Sequence, residues 1–518
     1  LHDVVRQLVR DRFKMARNKV VQRYDKWRQS ENLHLAYVDE SEVDKAGKKI
    51  NPFTRGIIVP YTNAIMNTRT SYFFSVIGGK SPIIPIEGVG PSDIMPAKFA
   101  EMINEYQIEN TSALAVLYCW LQDADRYGLG IIKNLFHEIR ENRYLMRRQK
   151  FAAFGVDLFE RKIKEMKRVL TYEGNIASNI SPFSFYSDPN VNISHLQEGE
   201  FAGHKFSRSY NYLLNQSRDN IYFNIIELGN YLKTSKVDNF TDTDEDSNKD
   251  ESNLSRIAGV ETISSNTADE KDKGFINLEQ IYITLIPNDY DLAKRKQPED
   301  WLITLANNEM IIQCEPSIYN HFPFYVLEPN HDYASPFNMG TPEMLKGLND
   351  TLSWLFNSHY ENVRKIINDT LVVDPSLVEI KDLLRGGPAK LVRMKERAYG
   401  LGMIDKAVKQ LNVSDITRGH IGDAQHVIDL MQIVSSTPNN LMGVVEEVKR
   451  TATESSSTVN LATARLKTIA KIYVILGINP WTKDATFNNQ HLLSEERYYK
   501  ITDTLAEELG QDREIIKN

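Results

Sequence analysis

The amino-acid sequence predicts an α+β protein in which helices predominate, and three observations carry that prediction. Apolar residues recur at three- and four-residue spacing over 1–28, 341–367, 421–434 and 451–476, the pattern of helices that bury one stripe. Between about 131 and 314 the apolar runs are shorter and bounded by Gly, Pro or charge, which suits strands. No apolar run approaches the ~18–20 residues needed to span a bilayer.

In chain order, Leu1, Val5, Leu8, Arg12, Ala16, Val20, Tyr24 and Trp27 mark the stripe of a first helix. A turn cluster, Asn51-Pro52-Phe53-Thr54-Arg55-Gly56, precedes a second helix that runs through Tyr72-Phe73-Phe74. Gly78-Gly79 ends it, and Ile83–Ile86 reads as a short strand. One long helix is expected from about Pro96 to Arg126, closed by Tyr127-Gly128-Leu129-Gly130. Strands are expected at Ile131–Phe136, Phe151–Phe154, Lys167–Tyr172, Phe183–Tyr186, Ile281–Pro287, Trp301–Leu305 and Met310–Cys314. Residues 238–255 crowd Asp242, Asp244, Glu245, Asp246, Asp250 and Glu251 with almost nothing apolar, so a solvated insertion of about 238–273 is expected.

From Thr341 the character changes. Thr341 suits an N-cap and Pro342 the first helical position, and Leu345, Leu348, Leu352, Leu355, His359, Val363 and Ile366 extend the stripe. A Gly/Pro-punctuated insert follows, with turns at Arg385-Gly386-Gly387-Pro388 and Tyr399-Gly400-Leu401-Gly402. A helix over about 421–434 stops at Ser435-Ser436-Thr437-Pro438-Asn439-Asn440. Another over about 451–476 is expected to end at Gly477 and Pro480, with a last helix at Ser494–Leu509.

Composition narrows the class. The chain has 518 residues, 41% hydrophobic and 25% charged, which excludes collagen, low-complexity disorder and a small disulfide scaffold. With 62 Lys and Arg against 69 Asp and Glu, the net charge is −7, so broad neutralisation of nucleic-acid phosphates is not its design. Cys119 and Cys314 stand alone and are expected as reduced thiols in a cytosolic setting. Leu1 is not a start methionine, so further residues are expected before it.

Catalytic and ligand motifs fail on inspection. Gly78-Gly79-Lys80-Ser81 has Phe74 where a phosphate loop needs its first glycine. Gly88-Val89-Gly90 runs into Pro91, and Gly128-Leu129-Gly130 lies between helix and strand in the reverse of the dinucleotide-binding order. Asp242-x-Asp244-x-Asp246 opens like a calcium loop but offers Ser247 for the bend and Asn253 for the bidentate glutamate. The eleven histidines, His137 and His420 among them, form no zinc spacing. No catalytic, cofactor-binding or metal-binding residue is nominated, and no cofactor is expected.

The order of elements is the specific feature: a helix-and-sheet region, a long rod helix, a compact insert, a second helix, a polar break and a third long helix. Together with four phrases, that order resembles bacteriophage portal proteins. The phrases are Pro60-Tyr61-Thr62-Asn63-Ala64-Ile65 leading to Ser71-Tyr72-Phe73-Phe74; Asp125-x-Tyr127-Gly128-x-Gly130-Ile131-x-Lys133; Ser181-Pro182-Phe183-Ser184-Phe185-Tyr186-Ser187-Asp188-Pro189; and Phe337-Asn338-Met339-Gly340-Thr341-Pro342-Glu343-x-Leu345.

The resemblance implies a wing over 1–339, a first stem helix over 340–367, a clip over 368–417 and a second stem helix over 418–436. It further implies a tunnel loop over 437–450, a channel helix returning to the wing over 451–480, and a short crown over 481–518. It implies a non-enzymatic ring of about twelve copies, located at the capsid vertex of the virion and assembled in host cytoplasm. Such a ring passes double-stranded DNA during packaging and ejection. Its implied partners are the terminase large subunit, tail adaptor or head-completion proteins and the major capsid protein, with no membrane. Channel residues would be Pro438, Asn439, Asn440, Lys449, Arg450, Arg465, Lys467 and Lys471; the clip's partner-binding residues would be Arg385, Lys390, Arg393, Lys395 and Arg397. Two other readings stay open at this point: a helical protein-binding scaffold without a channel, and a nucleic-acid enzyme with dispersed carboxylates.

Overall fold

A computed structural model describes residues 2–37, 57–80, 82–153, 156–234, 275–332, 337–367, 371–384, 393–396, 408–410, 419–442, 452–495, 497–498 and 501–502. The acidic insertion, the clusters at 51–56, 385–388 and 399–402, and Lys449 and Arg450 lie outside these residues. The chain divides into two compact units: residues 1–35, 63–344 and 436–518 form the first, and 36–62 with 345–435 the second. Helix outweighs strand, and the class is α+β.

In the first unit, helix α1 (His2–His34) buries Val5, Val9, Phe13, Ala16, Val20, Tyr24 and Trp27. The buried line therefore runs through Val9 and Phe13 rather than Leu8 and Arg12. Arg12 stays at the rim and pairs with Glu200 at 2.8 Å, because a guanidinium keeps its head near water unless it is paired. α1 lies on a five-stranded antiparallel sheet, order β3-β4-β5-β6-β7, made of Phe185–Ser187, Phe201–Ser209, Phe275–Leu285, Glu299–Ala306 and Met310–Pro316. A satellite core forms where α5 (Tyr210–Ser217) and α6 (Ile225–Thr234) cover Ile276, Leu278 and Ile312.

A second sheet, order β2-β1-β8, consists of Val156–Ile180, Gly130–Ala153 and Phe324–Leu327. At its base it lies between two cores. Ile131, Phe324 and Val326 face the α1 core, whereas Ile132, Tyr325 and Leu327 face a core built by α2 (Tyr61–Gly78), α4 (Ala113–Tyr127), α10 (Ala452–Tyr473) and α11 (Asn479–Leu492). Covered on both faces, β8 reads as the unbroken apolar run Phe324-Tyr325-Val326-Leu327, whereas the base of β1 follows Ile131-Ile132 with the buried Lys133 and Asn134. Farther out, β1 and β2 continue as one hairpin paired to Ala153↔Val156. The three short strands expected over 131–172 are thus two long ones, because an exposed ribbon carries charge on both faces and shows no apolar alternation.

Other boundaries also move. The expected 96–126 helix is two: α3 (Ile94–Asn110) and α4, separated where Thr111 turns extended at φ −121°, ψ 171°. Asn110-Thr111-Ser112 is a run of residues that compete with the helix ladder through their side chains, and the Thr111 hydroxyl does so by bonding the Gln107 carbonyl at 2.7 Å. Ile83–Ile86 joins no sheet. Gly477 and Pro480 do not end the last long helix: a π turn over Val474–Ile478 carries it into α11, with Pro480 in the first turn where its missing N–H costs nothing. Gly477 is there for close approach, since a Cβ would sit 2.5 Å from Leu327 Cδ2 and 2.8 Å from the Val326 carbonyl oxygen.

In the second unit, α7 (Thr341–Ile367) contributes from residue 345 onward. The strap 57–62 runs along it: Asn357 Oδ1 accepts from the Ile57 amide at 2.8 Å, Ser353 Oγ from the Val59 amide at 3.1 Å, and Asn349 Oδ1 from the Thr62 hydroxyl at 3.0 Å. Those acceptors are four residues apart and so share one helix face. α9 (His420–Ser435) closes on the same elements through Gln432 to the Tyr61 hydroxyl at 2.7 Å and His420 against Trp354. The insert adds the antiparallel pair β9 (Leu371–Val373) and β10 (Val408–Gln410), with α8 (Ile380–Leu384) between them in sequence.

Candidate functional site

Asp125 of the second phrase and Thr341 of the fourth meet in the first unit at one buried polar joint, completed by Arg69 of α2. Asp125, at the end of α4, is fully buried; Arg69 of α2 holds it with Nε at 3.0 Å and Nη2 at 2.9 Å from Oδ1. The Thr341 hydroxyl donates to the same Oδ1 at 2.6 Å. Burial alone would lower the Arg69 pKa, but the charge and hydrogen bonds of Asp125 outweigh it and hold the guanidinium above its ordinary value. An ion pair sealed in this way must be complete, because either partner alone would be an uncompensated charge. Thr341, expected as a cap, instead ties the start of α7 to α4.

The neighbouring contacts share that logic. Trp27 Nε1 donates to the Tyr127 carbonyl at 3.0 Å, and the Tyr127 hydroxyl to Glu31 at 2.7 Å. Arg23 reaches Glu343 at 2.7 Å and the Asn338 carbonyl at 3.1 Å. Gly128 closes α4 in the left-handed region at φ +78°, and a Cβ there would lie 2.3 Å from the Asn338 carbonyl oxygen, so only glycine fits. Phe183 of the third phrase packs on Tyr24 and Trp27 with ring centroids 5.2 and 5.3 Å apart.

Three further buried groups take strong shifts from their surroundings. Burial, aided by Arg126, pushes His34 down to about 4. Burial pushes Asp123 up to about 6 against the opposing pull of Arg126 and of Asn179, which donates to it at 2.7 Å. Burial brings Lys133 down to about 7; its ammonium lies over Tyr282 and Phe324 and bonds Gln280. A recess lined by Asn104, Gln107, Asn134, Asn175 and Trp481 borders the base of the hairpin. Its amides bind one another: Gln107 donates to Asn489 at 2.7 Å, Asn175 to Asn489 at 2.8 Å, and Asn489 to Asn104 at 2.9 Å. This amide knot locks α11 to α3 and β2. Sequence reasoning missed it, since its hydrogen-bonded partners are 68 to 385 residues apart.

Of the channel candidates, Arg465, Lys467 and Lys471 are exposed on α10, whose opposite side buries Leu466, Ala470 and Tyr473. They do not form one stripe. At 100° per residue Lys467 and Lys471 differ by about 40°, whereas Arg465 stands about 160° from Lys467. Pro438, Asn439 and Asn440 form a half-buried turn in which the Pro438 carbonyl accepts from the Leu441 amide at 2.9 Å, and Leu441 packs on the second core.

Two clip candidates are engaged inside the insert. Arg393 grips Asp382 through Nε at 2.7 Å and Nη2 at 3.0 Å, a hydrogen-bonded pairing that raises its pKa. Lys395 Nζ donates to the Pro375 carbonyl at 2.8 Å. Arg385, Lys390 and Arg397 lie outside the described residues. Among those residues, no three His, Cys, Asp or Glu side chains converge as metal ligands, and no helix is long and apolar enough to cross a membrane.

The chain belongs to the family of the phage SU10 portal protein, which it matches over residues 64–507; it is a bacteriophage portal protein, a head–tail connector component of the virion. That family is structural rather than enzymatic. No curated protein matches the chain.

Proposed function

We propose that this portal protein assembles as a closed ring at one capsid vertex and serves as the conduit through which double-stranded DNA is packaged and ejected. The ring would also dock the terminase large subunit, tail adaptors and the major capsid protein. The observation that carries the reading is the family match over 444 residues, from 64 to 507. The division of labour follows the sequence-based boundaries, with the wing ending near 339, the clip over 368–417 and the crown over 481–518.

The electrostatics support a conduit. DNA must pass without being held, and each neutralised backbone phosphate strengthens binding through counterion release. A subunit of net charge −7 with sparse cations on α10 suits passage. Because Lys467 and Lys471 share a flank that Arg465 does not, a straight channel helix turns one set toward the DNA and the other toward a neighbour. In the clip, Arg393 and Lys395 stay exposed while bonding Asp382 and the Pro375 carbonyl, and with Arg385, Lys390 and Arg397 they would meet an acidic partner surface.

The test is the particle mass of the purified protein, with images of the same fraction. Twelve copies of a 59.5 kDa chain give a ring of about 0.7 MDa with a central hole. A species of one or two copies at every concentration would overturn the proposal.

A further inference from the structure

We infer that the distal part of the β1–β2 hairpin is a clasp that seats its apolar and basic face on the outward face of α3 in a neighbouring copy of the chain. The inference rests on the ring proposed above. β8 accompanies β1 only over Gly130–Lys133; beyond it the two strands pair with each other alone. From Arg140 to Ala153 that ribbon is about 45 Å long at ~3.3 Å per residue. A two-stranded ribbon without cover is at best marginally stable in water.

The two faces of this ribbon differ. Arg140 pairs with Leu170, Tyr144 with Met166 and Met146 with Lys164, so these six side chains share one face. Tyr144, Met146 and Met166 are 71%, 61% and 60% exposed, and the cations of this face include Lys164, Arg140, which pairs with Glu138 at 2.8 Å, and Arg168, which pairs with Asp219 of its own chain at 2.6 Å. The other face also pairs charges, as in Arg143–Glu141 at 3.2 Å, so it is the row of exposed apolar groups that sets the first face apart. Across 138–173 the sequence holds ten Lys and Arg against six Asp and Glu, in a chain that is acidic overall. A row of large exposed apolar groups on one face marks an interface.

α3 presents the complement. Its outward arc carries Ile94, Glu101, Glu105 and Glu109, with Lys98 as the cation among them, while Ala97, Phe99, Ile103, Asn104, Gln107 and Ile108 are buried. Val89, in the loop before it, is fully exposed. The outward arc of α3 faces away from the base of its own hairpin. Gln107 bonds Asn175 at the base of β2, and Glu105 stands about 160° around the helix from Gln107. A closed ring with head-to-tail contacts brings two different patches of one chain together at every interface.

Photo-crosslinking tests the assignment. Full-length protein with a benzophenone side chain at Met166 is assembled as a mixture of isotopically light and heavy copies, irradiated and mapped, while its particle mass is recorded. Cross-links between copies that land within 87–109 are expected. Cross-links confined to one copy, or landing on another surface of a formed ring, overturn the clasp and leave the ring proposal standing; a wild-type protein that forms no ring overturns both. In parallel, Arg140→Glu with Lys164→Glu is expected to lower ring yield about tenfold through like-charge repulsion, and added Glu105→Lys with Glu109→Lys to restore it. Circular dichroism separates lost assembly from lost folding: a folded charge-reversed variant with undiminished ring yield refutes the clasp.

Discussion

The two ends of one hairpin meet opposite environments. At the base, Ile131, Ile132, Lys133 and Asn134 are buried, a third strand is present, and helices cover both faces. Glu173 there takes the Ser494 amide and hydroxyl at 2.7 and 2.6 Å. Along the arm the same two strands carry charge on both faces and apolar groups in the open. Continuity of backbone pairing therefore says little about where stability resides; it is cover from other elements that separates a core strand from a projecting one.

The comparison is most sharply broken at the joint that anchors the base. Arg69→Met leaves Asp125 as a buried charge without its partner, and a loss of about 3–5 kcal/mol in urea unfolding is expected. Gly128→Ala combines left-handed backbone strain with the close Asn338 carbonyl, so a loss of roughly 2–3 kcal/mol is expected, read as a lower midpoint with an unchanged slope.

Lys133 gives a pH signature. Its folded pKa of about 7 lies below its ordinary 10.5, so between those values the unfolded chain binds a proton that the folded chain does not. Its contribution to stability is therefore lowest below pH 7 and rises with pH through that window, at up to about 1.4 kcal/mol per unit. Lys133→Met is expected to flatten the rise between pH 7 and 9, and an unchanged slope would refute the assignment. The smallest effect belongs to the arm: Tyr144→Ser with Met166→Ser is expected to stay within about 0.5 kcal/mol of the parent in the isolated subunit, because both side chains are largely exposed among the described residues. A larger loss would show that the arm is packed within one copy.

Much of the helical frame was legible. The stripes over 341–367 and 451–476 lie on α7 and α10, because a helix burying one face repeats its apolar residues every three to four positions. The four phrases were legible as residues, but their meaning was not. Thr341 reads locally as a cap, yet its hydroxyl bonds a carboxylate 216 residues away. The proposed channel cations were found as a charge-bearing stretch, while their split over two flanks of α10 needed to be seen against the buried side. The arm was the largest miss, since an exposed ribbon carries no periodic signal.

Local spacing in the sequence determined the class, the long helices and the strand-rich middle, all of which depend on neighbours a few residues apart, while the order of elements and four phrases carried the resemblance to the family. Tertiary structure alone decided which charges are buried in pairs, which glycines permit close approach, how α11 is knotted to the hairpin base, and which strand segments are left uncovered. Those outcomes depend on residues tens to hundreds of positions apart, and only packing brings such residues within reach of a hydrogen bond.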